Sequence, residues 1–233
     1  MWKKDPQHRK SIWILLLIAL LSVLSAVLFR VFHQNREIPV PYISQRGTLE
    51  SGCELISAIM VLRYYGCTVD IQDFAAQVPT SQLEQTENGL VGEDPSNAFI
   101  GDPHSPEGLG CYAPVITRAM NSFLPQIGKK RAVNLTGTDF NVLLNRYLSK
   151  GTPVILWGTS NMGEPGTGPN WTIRETGERF QWIGGEHCLV LVGCNRQECY
   201  FRDPFGSSST AAFDRDLVEK RYKALGSQAI VVQ

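Results

Sequence analysis

Eighteen consecutive residues, Ile12 to Phe29 (IWILLLIALLSVLSAVLF), carry no charge. A helix of about 20 apolar residues crosses a hydrocarbon core, so this run nearly spans one unaided. Lys3, Lys4, Arg9 and Lys10 precede it and Arg30 follows it. Basic flanks stay on the cytoplasmic side, which predicts an N-terminus inside and the rest of the chain outside. The run therefore divides the chain into a cytoplasmic segment 1–11, a transmembrane anchor 12–32, a linker 33–37 and a domain 38–233. A cleaved signal peptide is the competing reading. Its apolar stretch is usually about 7–15 residues and ends at a small-x-small site. Here the run is longer, Arg30 follows directly, and Ser25-Ala26 lies inside it. The uncleaved anchor is preferred.

The domain is charge-balanced. The whole chain has 22 Lys and Arg against 22 Asp and Glu. No basic stripe interleaved with aromatics appears, so nucleic acid is not an expected partner. The expected partners are a peptide or protein substrate and, through the anchor, the lipid bilayer; the domain is read as a monomer. Cysteines stand at 53, 67, 111, 188, 194 and 199. An exported domain permits disulfides, but these spacings are not those of a disulfide mini-scaffold. Cys188, Cys194 and Cys199 beside His187 lack the C-x2-C knuckle of a zinc site. Asp94, Asp102, His104 and Glu107 lack the acidic order of a calcium loop. No metal or other cofactor is expected.

Periodicity predicts helices first and strands later, an α+β order. Ile38–Ser44 (IPVPYIS) reads as an edge strand because Pro39 and Pro41 cannot donate to a ladder. From Cys53 to Tyr65 the apolar stripe at Leu55, Ile59 and Leu62, widened by Ile56 and Met60, predicts a helix buried on much of its circumference. Asp70 is placed as the cap of a helix reaching Gln77. Glu84–Gly110 reads as a long Gly/Pro-rich loop. A helix is expected over Ala113–Leu124, a strand over Arg131–Leu135, and a helix capped by Thr138. Pro153–Trp157 reads as a strand and Gly163–Pro169 as a loop. Further strands are expected at Trp171–Arg174, Arg179–Ile183, His187–Val192, Glu198–Asp203 and Ala229–Val232, with a helix over Asp214–Leu225.

One set of residues points to chemistry. Cys53 opens the buried helix, where unpaired N–H groups and the helix dipole favour an anion and so a thiolate. Gly52 before it leaves room for a substrate carbonyl. A nucleophile needs a base, and of four histidines only His187 begins a strongly patterned strand, EHCLVLVG. Asp203 ends the next strand, before Pro204. Register decides whether they meet. Pairing Val192 with Glu198 sets His187 opposite Asp203, and pairing Cys194 with Glu198 makes them diagonal neighbours. An even-numbered loop without a bulge puts them on opposite faces. Where they meet, the carboxylate orients the imidazole and stabilises its cation. Gln45 is placed to donate to a developing oxyanion. Trp157 is a candidate for the cleft wall, and the loops 84–110 and 163–169 for cleft walls or a lid.

These blocks resemble a known group. VPYISQ, SGCELIS and MVLRYYG, then GEDPSNAFIGDP and GLGCYAPVI, then EHCLVLVGC, FRDPFG and LGSQAIVV are similar in order and spacing to the bacterial peptidase C39-like family. That family is related to the papain-like enzymes that remove double-glycine leaders from bacteriocins. The resemblance implies a papain-like fold, Cys53 as nucleophile, His187 as base and acid, Asp203 as orienter and Gln45 in the oxyanion hole. It implies a thiol-dependent peptidase, here expected at the outer face of the cytoplasmic membrane. The chain departs from transporter-fused leader peptidases in having no ATPase segment. The alternative is a membrane-tethered peptide-binding domain on the same scaffold with an idle site.

Overall fold

The computed structural model describes residues 15–25 and 37–233. The chain divides into two units, 1–36 and 37–233. In the first, residues 15–25 form a helix, α1. The rest of the expected anchor, the cytoplasmic segment 1–11 and most of the linker lie outside the described residues. Among the described residues no helix is long and apolar enough to cross a membrane.

In the second unit the α-helices are α2 (Cys53–Tyr64), α3 (Ile71–Ala75), α4 (Ala113–Phe123), α5 (Phe140–Val142), which runs on as a π turn and a 3-10 turn to Lys150 before Gly151, and α6 (Arg215–Ala224). Early strands are β1 (Thr80–Ser81), β2 (Glu84–Thr86), β3 (Gly89–Gly92), β4 (Phe99–Ile100) and β5 (Ala132–Asn134). Later strands are β6 (Val154–Thr159), β7 (Gly166–Ile173), β8 (Arg179–Gly184), β9 (Glu186–Cys194), β10 (Glu198–Arg202), β11 (Ala211–Asp214) and β12 (Ala229–Val232). Six strands form an antiparallel sheet in the order β11-β10-β9-β6-β12-β5. A second sheet, β2-β3-β7-β8, carries one parallel pair, β3 with β7.

The broad apolar stripe of α2 has the expected consequence: every residue from Cys53 to Leu62 is buried. The helix packs on β9 and α4, and Ser57 Oγ donates to Cys188 O at 3.1 Å, tying it to the strand. Each fully buried leucine or isoleucine here contributes about 2 kcal/mol. On β9 the residues His187–Gly193 are all buried, so both faces are covered. This strand runs through the core and is not half-solvated.

Several expectations are corrected. Residues 38–44 form no strand; with two prolines lacking N–H groups, the segment makes a single ladder-like bond, Ile38 N to Val192 O at 2.7 Å. The stretch 84–110 is no structureless loop: β2 and β3 lie within it and join β7 and β8 in the second sheet, which carries Trp171 and Trp182, and β4 pairs in parallel with β1. The expected loop 163–169 is partly the start of β7. The cap after Thr138 is Asp139, whose Oδ1 accepts Asn141 N at 2.9 Å. Asp70 caps α3 as expected, accepting from Gln72 N at 2.8 Å and Asp73 N at 3.3 Å, although the helix stops at Ala75.

Candidate active site

The β9–β10 hairpin answers the register question in an unforeseen way. Cys199 pairs with Cys194, leaving an even-numbered loop of Asn195 to Glu198. By itself that would send His187 and Asp203 to opposite faces. The register then shifts between Tyr200 and Phe201, so that Phe201 pairs with Leu191 and Val192 is skipped. This bulge restores the face. Continued by one residue, the ladder sets Asp203 opposite Leu189 and diagonal to His187. The side chains meet: His187 Nε2 and Asp203 Oδ1 are 2.7 Å apart, both residues 4% exposed. A Cys194–Cys199 disulfide pins the hairpin next to its turn, which removes two of the three thiols weighed for zinc.

Asp203 Oδ1 also accepts Phe205 N at 2.9 Å. Burial raises this carboxyl, but the hydrogen bond and charge of His187 and the backbone donors outweigh it and hold it below its usual range. With Nε2 engaged, Nδ1 is the ring nitrogen left for chemistry. Phe205 packs edge-on to the imidazole at 6.4 Å and is 42% exposed, a hydrophobic side chain beside His187 that sequence reasoning missed.

Cys53 lies against the same strand: Cys188 N donates to its sulfur at 3.4 Å. Its side-chain partner, however, is Glu54, with Sγ to Oε2 at 3.3 Å. No hydrogen bond joins sulfur and imidazole in this structure. Burial, then the nearby Glu54 and Glu186 carboxyls, push the thiol well above its ordinary value. The helix terminus alone predicts the opposite. Burial, and after it the two carboxyls, override it.

Gln45 is buried at 3% exposure. Its backbone N donates to Pro204 O at 2.9 Å, and its Nε2 donates to Glu50 O at 2.8 Å. Arg46 reaches Phe205 O at 2.8 Å through Nη2, and Tyr42 Oη donates to Gly206 O at 2.9 Å. The irregular segment after residue 38 is thus clamped to the loop that follows Asp203. Chain folding brings together Gln45, Cys53, His187 and Asp203 around β9 and its two flanking loops.

Two expected substrate contacts are not supported. Trp157 is fully buried in the core, and its indole Nε1 donates to Cys111 O at 3.0 Å. The space above Gly52 is taken by Leu49, whose Cβ would stand 2.7 Å from an added Cβ. Gly52 is needed for packing, whatever room it leaves a substrate. Asp102 and His104 pair with each other at 3.0 Å on the surface, and His104 also meets Gln72 Oε1 at 2.9 Å. Glu54, Glu186 and Gly110 were overlooked. Their signal was a glutamate at position 54 inside an otherwise apolar, buried stripe.

With this geometry in hand, comparisons place the chain. Residues 37–230 match the model of the Peptidase_C39 like family. The chain belongs to that family. Among curated proteins it is similar to the uncharacterized protein YvpB of Bacillus subtilis (strain 168), 31% identical over 185 residues covering 79% of this chain and 70% of YvpB. Among solved structures it is similar to a Bacillus anthracis protein assigned as a C39-like peptidase: TM-score 0.74, 27% identity, covering 85% of this chain and 98% of that one. A looser likeness is to a double glycine motif protease from an AMS/PCAT transporter, solved in complex with the leader peptide. There the TM-score is 0.45 and identity 15%, over 85% of this chain and 94% of that one. The mixed helix-and-sheet domain is therefore a C39-like peptidase fold.

Proposed function

We propose that this C39-like chain is a thiol-dependent peptidase of papain-like architecture, acting on a peptide or isopeptide bond. The observation that carries the reading is the buried His187–Asp203 pair at 2.7 Å on the strand that also touches the Cys53 sulfur. In this mechanism His187 Nδ1 takes the thiol proton and the sulfur attacks the substrate carbonyl carbon. The oxyanion is met by the Cys53 backbone N–H, which has no intrahelical acceptor, and by the second hydrogen of Gln45 Nε2. The imidazolium, stabilised by Asp203, gives its proton to the leaving amine. Water, with His187 as base, then hydrolyses the thioester.

The site is proposed to lie outside the cytoplasmic membrane, tethered by residues 12–32 with the N-terminus inside. Two features support this: the charge-free run with its basic flank, and the Cys194–Cys199 disulfide, which persists in oxidising compartments. Protease added to intact cells should degrade the domain while sparing a cytoplasmic control; full protection would refute the topology.

The raised thiol and its hydrogen bond to Glu54 favour a second reading, a peptide-binding domain with an idle site. Site-resolved alkylation by iodoacetamide separates the two. A peptidase should show Cys53 reacting at about pH 6 in a manner lost in His187→Ala. If Cys53 reacts only at alkaline pH and His187→Ala changes nothing, the peptidase reading fails.

A further inference from the structure

The mechanism above leaves two carboxyls beside the nucleophile unused. Glu54 is fully buried. Its Oε1 accepts Cys111 N at 2.7 Å, while its Oε2 faces the Cys53 sulfur at 3.3 Å. Glu186 immediately precedes His187, and its buried Oε1 has no partner. The sulfur and one oxygen from each glutamate lie within 4.8 Å of one another. The two side chains converge over Gly110: a Cβ there would stand 2.5 Å from Glu54 Oε1 and 3.1 Å from Glu186 Oε2. Only glycine lets them meet. Both Glu54 oxygens already accept hydrogen bonds, so the group reads as a proton network.

No Lys or Arg forms an ion pair with either carboxyl among the described residues. The titratable groups facing them come from three directions. Cys53 lies on α2 itself, His187 and Cys188 on β9, and Cys111 and Tyr112 on the segment entering α4. Asp203 stands behind His187, and Arg118 on α4 reaches Cys111 only through its field. Glu54 is fully buried and Glu186, half-buried, has one oxygen shielded from water; two unpaired negative charges this close in such a place do not persist together. The pair must hold at least one proton and titrate as a unit.

We propose that Glu54 is a positioning residue for the Cys53 sulfur, coupled to Glu186 as a carboxyl pair whose protonation decides whether the sulfur is held as a thiol or presented as a thiolate. This rests on the reading of Cys53 as the nucleophile. With both carboxyls protonated, Glu54 Oε2–H donates to the sulfur, the thiol proton sits on His187, and the thiolate gains a hydrogen bond. When the pair loses its first proton, Glu54 becomes the acceptor. It keeps the S–H proton in place, and its charge repels a thiolate. Burial pushes Glu54 up to about 7 against the pull of Cys111 N, and burial and then Glu54 push Glu186 well above its usual range. The first proton therefore leaves near neutral pH, and the sulfur is most nucleophilic below it.

The test is the pH profile of Cys53 alkylation by iodoacetamide, read by mass spectrometry on the full chain. In the unmutated protein the rate should pass a maximum and fall about tenfold by roughly pH 8.5, where an ordinary thiol accelerates. Glu54→Gln, which keeps a donor without a charge, should abolish the descending limb. Glu186→Gln should keep that limb near neutral pH, because burial raises Glu54 and a glutamine is as uncharged as the protonated Glu186 it replaces. A merely structural role would scale all rates without changing the profile. If Glu54→Gln superimposes on the unmutated profile while His187→Ala suppresses the reaction, the pair proposal is overturned and the nucleophile stands. If His187→Ala also leaves Cys53 behaving as an ordinary thiol, the nucleophile reading falls and this proposal with it. Should either variant fail to fold, infrared spectra of the unmutated protein decide. A protonated-carboxyl band that disappears with a midpoint near neutral pH supports the pair, and absence of that band at about pH 6 overturns it.

Discussion

Gln45 separates chemistry from reactivity at the level of one residue. Its Nε2 has two hydrogens and one protein acceptor, Glu50 O, so a second N–H is available to an oxyanion. Gln45→Ala is expected to slow turnover of an activated ester such as a p-nitrophenyl ester by about 10²–10³-fold. Alkylation of Cys53 should be unchanged, because it builds no oxyanion; equal losses in both assays would remove Gln45 from the oxyanion hole. Asp203 works differently. Its lowered carboxyl contributes stability that is present above the ordinary value of 3.8 and is lost as pH falls through the lower folded value. Asp203→Asn keeps the shape and removes the charge. It should flatten the acid limb of the thermal melting curve and also reduce His187-dependent alkylation at about pH 6.

At the scale of elements, the β9–β10 hairpin and the Gly110 segment carry the site. The Cys194–Cys199 bridge closes a loop with a sequence separation of 5. So short a loop constrains the unfolded chain modestly, by roughly 2 kcal/mol. Reduction, or Cys194→Ser with Cys199→Ser, should lower denaturant stability by about that amount. A change in His187-dependent alkylation would show that the bridge also maintains the bulge. Gly110 has a φ of +136° and no room for a Cβ beside Glu54. Gly110→Ala combines backbone strain with overpacking and should cost about 2–4 kcal/mol in urea denaturation. The aromatic packing of Tyr112 on Trp182, 5.5 Å apart and nearly parallel, is continuous with this segment. Its near-ultraviolet circular dichroism should report the disturbance.

At the scale of the molecule, the Glu54–Glu186 carboxyl pair bears on stability as well as reactivity. Both folded-state values are raised, so each carboxyl's contribution is fully present below the ordinary value of 4.5 and is lost as pH rises through its folded value, about 7 for Glu54 and also well above the ordinary value for Glu186. The melting temperature should therefore decline from about pH 5 to pH 8, and Glu186→Gln should remove much of that decline. A decline of the same size in the variant would mean that other groups set it. Residues 37–233 form a compact unit of their own. Expressed alone, they should melt cooperatively and keep the alkylation profile of the full chain.

Much of this was legible in the chain. Apolar periodicity placed α2, α4, α6, β6, β9 and β12 to within a few residues, because burial of whole faces leaves a repeating signature. Cys53, His187 and Asp203 stood out as candidates because a thiol at a helix mouth, a lone strand-start histidine and a strand-end aspartate are unusual in those places, and the structure brings them to one strand. The second sheet was not legible: β2 and β3 are 3 and 4 residues long, too short for a period, and β3 is held by β7 from far along the sequence. Nor was the bulge at Val192, since ladder register is settled across strands and not within one. The sequence by itself determined which residues would be buried and which carried reactive groups, because hydrophobicity and chemistry are local properties. Only the tertiary structure decided that Glu54 and Glu186 share the surroundings of Cys53. Their meeting over Gly110 depends on three distant segments, and the resulting low-dielectric pocket reverses the charge preference that the helix terminus alone would give Cys53.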